Sequence, residues 1–205
     1  VAAILKRVPH TRRSVSHTTR ARRQYEVEGE DYYFVDAETF QQMQHHDEFF
    51  EWAQVHGNLY GTSRQEIENI FADECDAILD IDVQGAAQLR TVFPDAVMIF
   101  ILPPSFEVLK QRLSSRGTEA PSDLERRLRG AKVEVRRYVE FDYVVVNDER
   151  EEAGAAVDAI VRAERLRVGN EDAGATPETV ARAERQRREH MEKRTKEIIA
   201  TFGAE

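Results

Sequence analysis

Ala77-Ile78-Leu79-Asp80-Ile81-Asp82-Val83 is an apolar run carrying two acids spaced two residues apart. It reads as a buried strand with both carboxylates on one face near the C-terminal end. Like charges so placed raise each other's pKa unless a cation or a donor joins them. Acids in that position often hold hydrated Mg2+ or a ligand, although a purely structural role stays open. Val97 to Leu102 and Tyr143-Val144-Val145-Val146 are two more such runs, each followed by a helical pattern. Buried strands alternating with helices predict βαβ units, a parallel sheet and an α/β fold.

Outward from that core, Val1 to Arg7 reads as the tail of a helix, and Asp31 to Val35 as a β run. Asp36 is the N-cap of a helix to about His46. Phe49 to Val55 is strand-like, Gly57-Asn58 turns, Leu59 to Thr62 returns, and Ser63 with Glu66 is a capping box for a helix to about Asp73. Ser105 caps a helix to about Ser115, and Ser122 with Glu125 opens another to about Phe141, with a polar hinge from Arg116 to Pro121 between them. A helix follows from Glu151 to about Val168. Residues 169–175 read as a linker, and Thr176-Pro177-Glu178 starts a last, mostly charged helix to the C-terminus. Its sparse stripe of Val180, Met191, Ile198 and Phe202 is a candidate seam for a second subunit.

The 205 residues suffice for one domain and an appendage. Cys75 is the single cysteine, which excludes a disulfide framework and a cysteine-built zinc site and suits a reducing cytosol. No apolar run approaches the ~20 residues that cross a bilayer. With no targeting motif apparent, the expectation is a cytoplasmic protein without membrane contact. A net charge of −9 argues against general nucleic-acid binding. Positive charge is nonetheless concentrated, since Val1 to Gln24 holds seven Lys or Arg and no acid.

Part of that charge lies in Ser14-Val15-Ser16-His17-Thr18-Thr19-Arg20-Ala21-Arg22-Arg23, with three arginines and four hydroxyls in ten residues. Guanidinium groups fit two phosphate oxygens at once; alone, the cluster reads equally as a solvated turn. Glu51 sits among Phe50, Trp52 and Ala53, where an unpaired carboxylate is costly. A carboxylate there needs two donors, which guanine offers at N1–H and its 2-amino group and adenine does not, although an exposed strand residue remains the alternative. Tyr32 and Tyr60 can donate to a phosphate or be core aromatics with a wet tip. Thr62 adds a hydroxyl or ends a hairpin. Arg112, Arg116, Arg126 and Arg127 flank the polar hinge, where arginines can close over phosphates or stay solvated.

Together, Ser14 to Arg20, Gly29-Glu30-Asp31-Tyr32, Glu51-Trp52-Ala53 and Gly57-Asn58-Leu59-Tyr60-Gly61-Thr62 closely resemble guanylate kinases. Leu79 to Gly85, Ile101-Leu102-Pro103-Pro104-Ser105, Arg116-Gly117-Thr118 and Val144-Val145-Val146-Asn147-Asp148 add to the resemblance, which runs colinearly from Val1 to about Arg167. It implies a P-loop kinase-like parallel sheet flanked by helices within residues 1–168. A small mixed α+β GMP-binding region spans about 15–62, and a helical lid about 112–127. The implied reaction is ATP-dependent phosphorylation of GMP to GDP, with Mg2+. By position, Arg20, Arg23, Tyr32 and Tyr60 resemble the holders of the GMP phosphate, and Ser16, Glu51, Thr62 and Asp82 the guanine-recognising set. Arg112, Arg116 and Arg127, with Arg23, resemble the arginines at the transferring phosphate, Arg112 and Arg116 also meeting ATP. Asn147 and Asp148 resemble the segment near adenine, and Asp80 would support the metal through water.

The family's G-x-x-x-x-G-K-[ST] phosphate loop does not occur in these residues, and alignment places it and the first strand just before Val1. The mid-helix start favours truncation over natural loss. The expectation is that the chain as it stands binds GMP weakly and turns over little. The rival readings are a non-catalytic module of guanylate-kinase-like shape, binding GMP or a phosphopeptide, and a related kinase for another phosphorylated substrate. The latter would have no use for the Glu51 constellation.

Overall fold

A computed structural model describes residues 5, 7–115, 121–170 and 173–203. They fall into two compact units, one from Pro9 to Ala96 and one from Val97 onward that includes the chain up to Val8.

In the first unit the elements in order are β1 (Thr11–Arg13), β2 (His17–Thr18), β3 (Tyr33–Phe34), α1 (Ala37–His45), β4 (Phe49–Val55), β5 (Asn58–Ser63), α2 (Arg64–Ala72), β6 (Asp76–Ile78) and α3 (Val83–Val92). β1 and β6 pair in parallel, and a mixed sheet runs β3-β2-β5-β4. Asp36 accepts the Thr39 N–H as foreseen, which aims α1 so that fully buried Phe40 stacks on Phe49 at 4.6 Å. β4 and β5 form a hairpin through His56 and Gly57, both at positive φ, the geometry that matches strand twist in a two-residue turn.

Ser63 caps α2, but the capping box is only half made. The Glu66 carboxylate does not return to Ser63; it accepts the Val15 N–H at 3.1 Å and so ties α2 to the chain entering β2. The run from Ala77 also differs from expectation. The strand ends at Ile78, so Asp80 and Asp82 are not strand residues sharing a face. Asp80 lies in the connection, and Asp82 is the N-cap of α3, its Oδ1 accepting the Gly85 N–H at 2.9 Å.

The second unit contains β7 (Ile99–Leu102), α4 (Phe106–Ser114), α5 (Pro121–Glu134), a 3-10 segment (Val135–Glu140), β8 (Tyr143–Val146), α6 (Arg150–Arg167), α7 (Pro177–Glu184) and α8 (Arg188–Ala200). β7 and β8 are parallel. β8 is apolar throughout because both faces are covered. Val144 packs with Leu102, Met191, Ile198 and Phe202, whereas Tyr143 and Val145 pack with Val157, Ile160 and Ala183.

The C-terminal residues are therefore not one solvated helix. The helix breaks at 185–187, where Arg187 bridges Tyr143 on the edge of β8 and the Val144 N–H donates to Gln186 O at 2.9 Å. Three residues of the stripe expected to meet a second subunit, Met191, Ile198 and Phe202, are buried in the chain's own core instead. Buried Glu164 fixes the arrangement, taking the Tyr143 hydroxyl and Arg187 on one oxygen and Arg167 on the other. Among the described residues no helix is long and apolar enough to cross a membrane.

Candidate functional site

The β2-β5-β4 register assembles the site in the first unit. Glu51 pairs with Thr62, and the ladder that sets His17 against Gly61 brings Ser16, one residue earlier, beside Thr62. Three of the residues assigned to guanine thus line up across three strands on one face. Tyr60, two residues from Thr62 and about 7 Å along the strand, shares that face.

Glu51 is 4% exposed. Its Oε1 accepts the Thr62 hydroxyl at 2.5 Å, and Oε2 lies against the first turn of α3 beside Asp82. Burial pushes its pKa up and nearby Asp82 adds to the effect, with Thr62 pulling partly the other way. Asp82 itself is held by the Gly85 N–H on Oδ1 and by Gln84 Nε2 on Oδ2.

Further along the face, the Tyr60 and Tyr32 rings meet edge to face at 5.9 Å, and the Arg20 guanidinium lies over Tyr32 at 5.3 Å. Arg20 forks onto Glu26, with Nη2 to Oε1 at 2.7 Å and Nη1 to Oε2 at 3.1 Å. Nη1 also donates to Ala21 O at 2.8 Å, and Tyr60 takes a further hydrogen bond from the guanidinium, which ties Arg20 to the ring beside it. The Arg23 backbone N–H also donates to Glu26, and its guanidinium reaches the Tyr25 hydroxyl at 3.2 Å. Burial alone would raise the Glu26 pKa, but Arg20 and the Arg23 N–H outweigh it and hold the carboxyl below its usual value. Glu26 was not anticipated from sequence, although it organises the basic cluster. The only sequence signal is an acid three residues after Arg23.

The site residues of the second unit form a separate group. Arg112 donates to Asn147 O at 2.7 Å and to Asp148 O at 2.9 Å, so one guanidinium binds together the two residues assigned to adenine. Arg127 is half-buried on α5, which packs against α4, and Arg116 lies outside the described residues.

Asp80 is exposed, which suits an acid contacting a hydrated ion through water. Among the described residues, three potential metal-ligating side chains converge only at Glu184, Glu189 and His190, all exposed, and not around Asp80. A cavity of about 580 Å³ lined by His17, Tyr33, Ser63 and Glu66 opens on the reverse face of the mixed sheet, since Ser63 and Thr62 point opposite ways.

Comparison with known proteins gives a consistent outcome. The family model for guanylate kinase matches residues 2–164. The guanylate kinase of Nitrosomonas europaea is 56% identical over 154 residues, 75% of this chain and 77% of that protein. That of Aromatoleum aromaticum is 47% identical over 171 residues, covering 83% and 84% respectively. The crystal structure of guanylate kinase from Anaplasma phagocytophilum aligns with a TM-score of 0.68 at 35% identity, covering 84% of this chain and 88% of that one.

Proposed function

Since the chain belongs to the guanylate kinase family, enzymes that phosphorylate GMP to GDP with ATP, we propose that the face carrying Glu51, Thr62, Tyr60 and Arg20 is its GMP site. The observation that carries this reading is Glu51, a buried carboxylate supported by Thr62, through its hydroxyl and its backbone, and otherwise set beside another acid, Asp82. A carboxylate accepts several hydrogen bonds, and leaving one buried and underfilled is costly. Guanine supplies two adjacent donors, N1–H and the 2-amino group, that would complete it. Adenine presents an acceptor at N1 and is turned away.

Ser16, Thr62 and Asp82 surround the same base edge. Tyr32, Tyr60, Arg20 and Arg23 receive the 5′-phosphate, with Glu26 setting the angle of the guanidinium group. In the second unit, Arg112 with Asn147 and Asp148 attends ATP, and Arg116 and Arg127 complete the set of lid arginines.

The chemistry is in-line transfer. An oxygen of the GMP phosphate attacks the γ-phosphorus, the bond from that phosphorus to the bridging oxygen breaks, and ADP leaves with the electron pair. No covalent enzyme intermediate is required. Two anions must approach, so catalysis rests on arginines that offset charge and on exclusion of water. Mg2+ bound with ATP would neutralise the β and γ oxygens, with Asp80 holding its water shell.

Calorimetric titration of the chain with GMP, AMP and a sugar phosphate tests the reading. GMP alone among the three should bind measurably. Equal binding of AMP would overturn it.

A further inference from the structure

Gly85 is the third residue of α3, buried, and its φ is not positive. Backbone conformation therefore does not call for glycine. Alanine there would favour the helix by roughly 1 kcal/mol, so the glycine needs a packing reason. Glu51 supplies one. A Cβ on Gly85 would fall inside contact distance of Glu51 Oε2 and 3.1 Å from its Cδ, with Asp82 Oδ1 at 3.5 Å. The carboxylate has little room to step aside, because it is 4% exposed and Oε1 is held by Thr62.

The same helix holds the strand that carries Glu51. Gln88, three residues after Gly85 on the same face, donates from Nε2 to Trp52 O at 2.7 Å and accepts the Trp52 N–H on Oε1 at 3.2 Å. Its amide completes the outer edge of β4 as a neighbouring strand would, next to Glu51. Asp82, Gly85 and Gln88, spaced by three along α3, thus cap the helix, make room for the carboxylate and clamp its backbone.

We propose that Gly85 is a positioning residue for purine selection: its missing side chain lets the Glu51 carboxylate lie against α3 beside Asp82, while Gln88 fixes the backbone that carries it. This rests on the reading of Glu51 as the guanine acceptor. A carboxylate that must meet N1–H and the 2-amino group together tolerates displacements of only about 0.5 Å, so a methyl group at Gly85 disturbs recognition without touching the nucleotide.

The test is calorimetric titration of the full chain with GMP and with IMP, which keeps N1–H and lacks the 2-amino group. Wild type should prefer GMP by at least ~10-fold, as expected of a site that loses a buried partner when the donor is missing. Gly85→Ala should bring that ratio close to one while the protein still unfolds cooperatively, at a midpoint lowered no further than overpacking explains. Gln88→Ala, which removes an exposed side chain, should lower the ratio by a smaller factor, ~3-fold, and decides the matter if Gly85→Ala does not fold. Variants that weaken GMP and IMP equally, or keep the wild-type ratio while Glu51→Gln abolishes it, overturn the role of Gly85 alone. A Glu51→Gln protein with the wild-type ratio overturns the reading of Glu51, and this inference with it.

Discussion

Two glutamates of the first unit are equally hidden and oppositely treated. Glu26 and Glu51 are 7% and 4% exposed. Glu26 receives a two-pronged guanidinium and a backbone N–H, and its pKa is pulled down despite burial. Glu51 is supported by Thr62 rather than by a cation, faces a second carboxylate, and its pKa is pushed up, chiefly by burial. The contrast separates architecture from recognition: the fold completes the acid that holds Arg20 and the Arg23 N–H, and leaves the acid proposed to read the base with less support.

Removing charge at the two positions should therefore have opposite effects on stability. Glu26→Gln strips the counter-charge from mostly buried Arg20 and should destabilise the unit by about 3 kcal/mol, read from urea unfolding. Glu51→Gln should weaken GMP by ~100-fold, the worth of two hydrogen bonds to a charged acceptor, without lowering the unfolding midpoint. A stability loss at Glu51 as large as that at Glu26 would erase the distinction.

A third buried acid sharpens the comparison. Glu164 resembles Glu26 in being filled by the protein, through Tyr143, Arg167 and Arg187, and its pKa is lowered although burial opposes this. Arg187→Ala also removes the guanidinium stacked at 4.4 Å on the Tyr143 ring and should destabilise by about 1.5 kcal/mol in unfolding experiments, with GMP binding unchanged. Arg187 was hidden from sequence reading by a continuous helical pattern. Its near-duplicate context, Arg162-Ala163-Glu164-Arg165-Leu166-Arg167 against Arg182-Ala183-Glu184-Arg185-Gln186-Arg187, gives no hint that both terminal arginines serve Glu164.

The smallest effects concern pH. Glu26 has a folded pKa below its unfolded value, so its contribution is complete above the unfolded pKa and disappears as pH falls through the folded one. Glu51 has a folded pKa above its unfolded value, so its contribution is complete below the unfolded pKa and disappears as pH rises through the folded one. Acid titration of stability should be shallower for Glu26→Gln than for wild type, and Glu51→Gln should alter the slope in the opposite sense.

What could be read without coordinates was what local chemistry dictates. The caps at Asp36, Ser63, Ser105 and Thr176 are short-range hydrogen bonds written into neighbouring residues. Phe49 to Val55 alternates as a strand must, and Glu51 stood out as an acid among apolar neighbours. Asp80 and Asp82 misled because Ile81 and Val83 continue the apolar alternation, whereas capping by Asp82 starts the helix earlier. Gly85 and Gln88 escaped because their partners lie more than thirty residues away on β4. Helix position alone does not distinguish a glycine that makes room from one that weakens the turn.

Whether Glu51 is the acceptor that guanine completes is read from carboxyl-carbon NMR of that side chain, titrated with pH in the free chain and again with GMP at saturation. Glu51 should titrate above the ordinary glutamate range in the free protein and shift downward when N1–H and the 2-amino group arrive. An ordinary midpoint that GMP leaves unmoved would contradict that role.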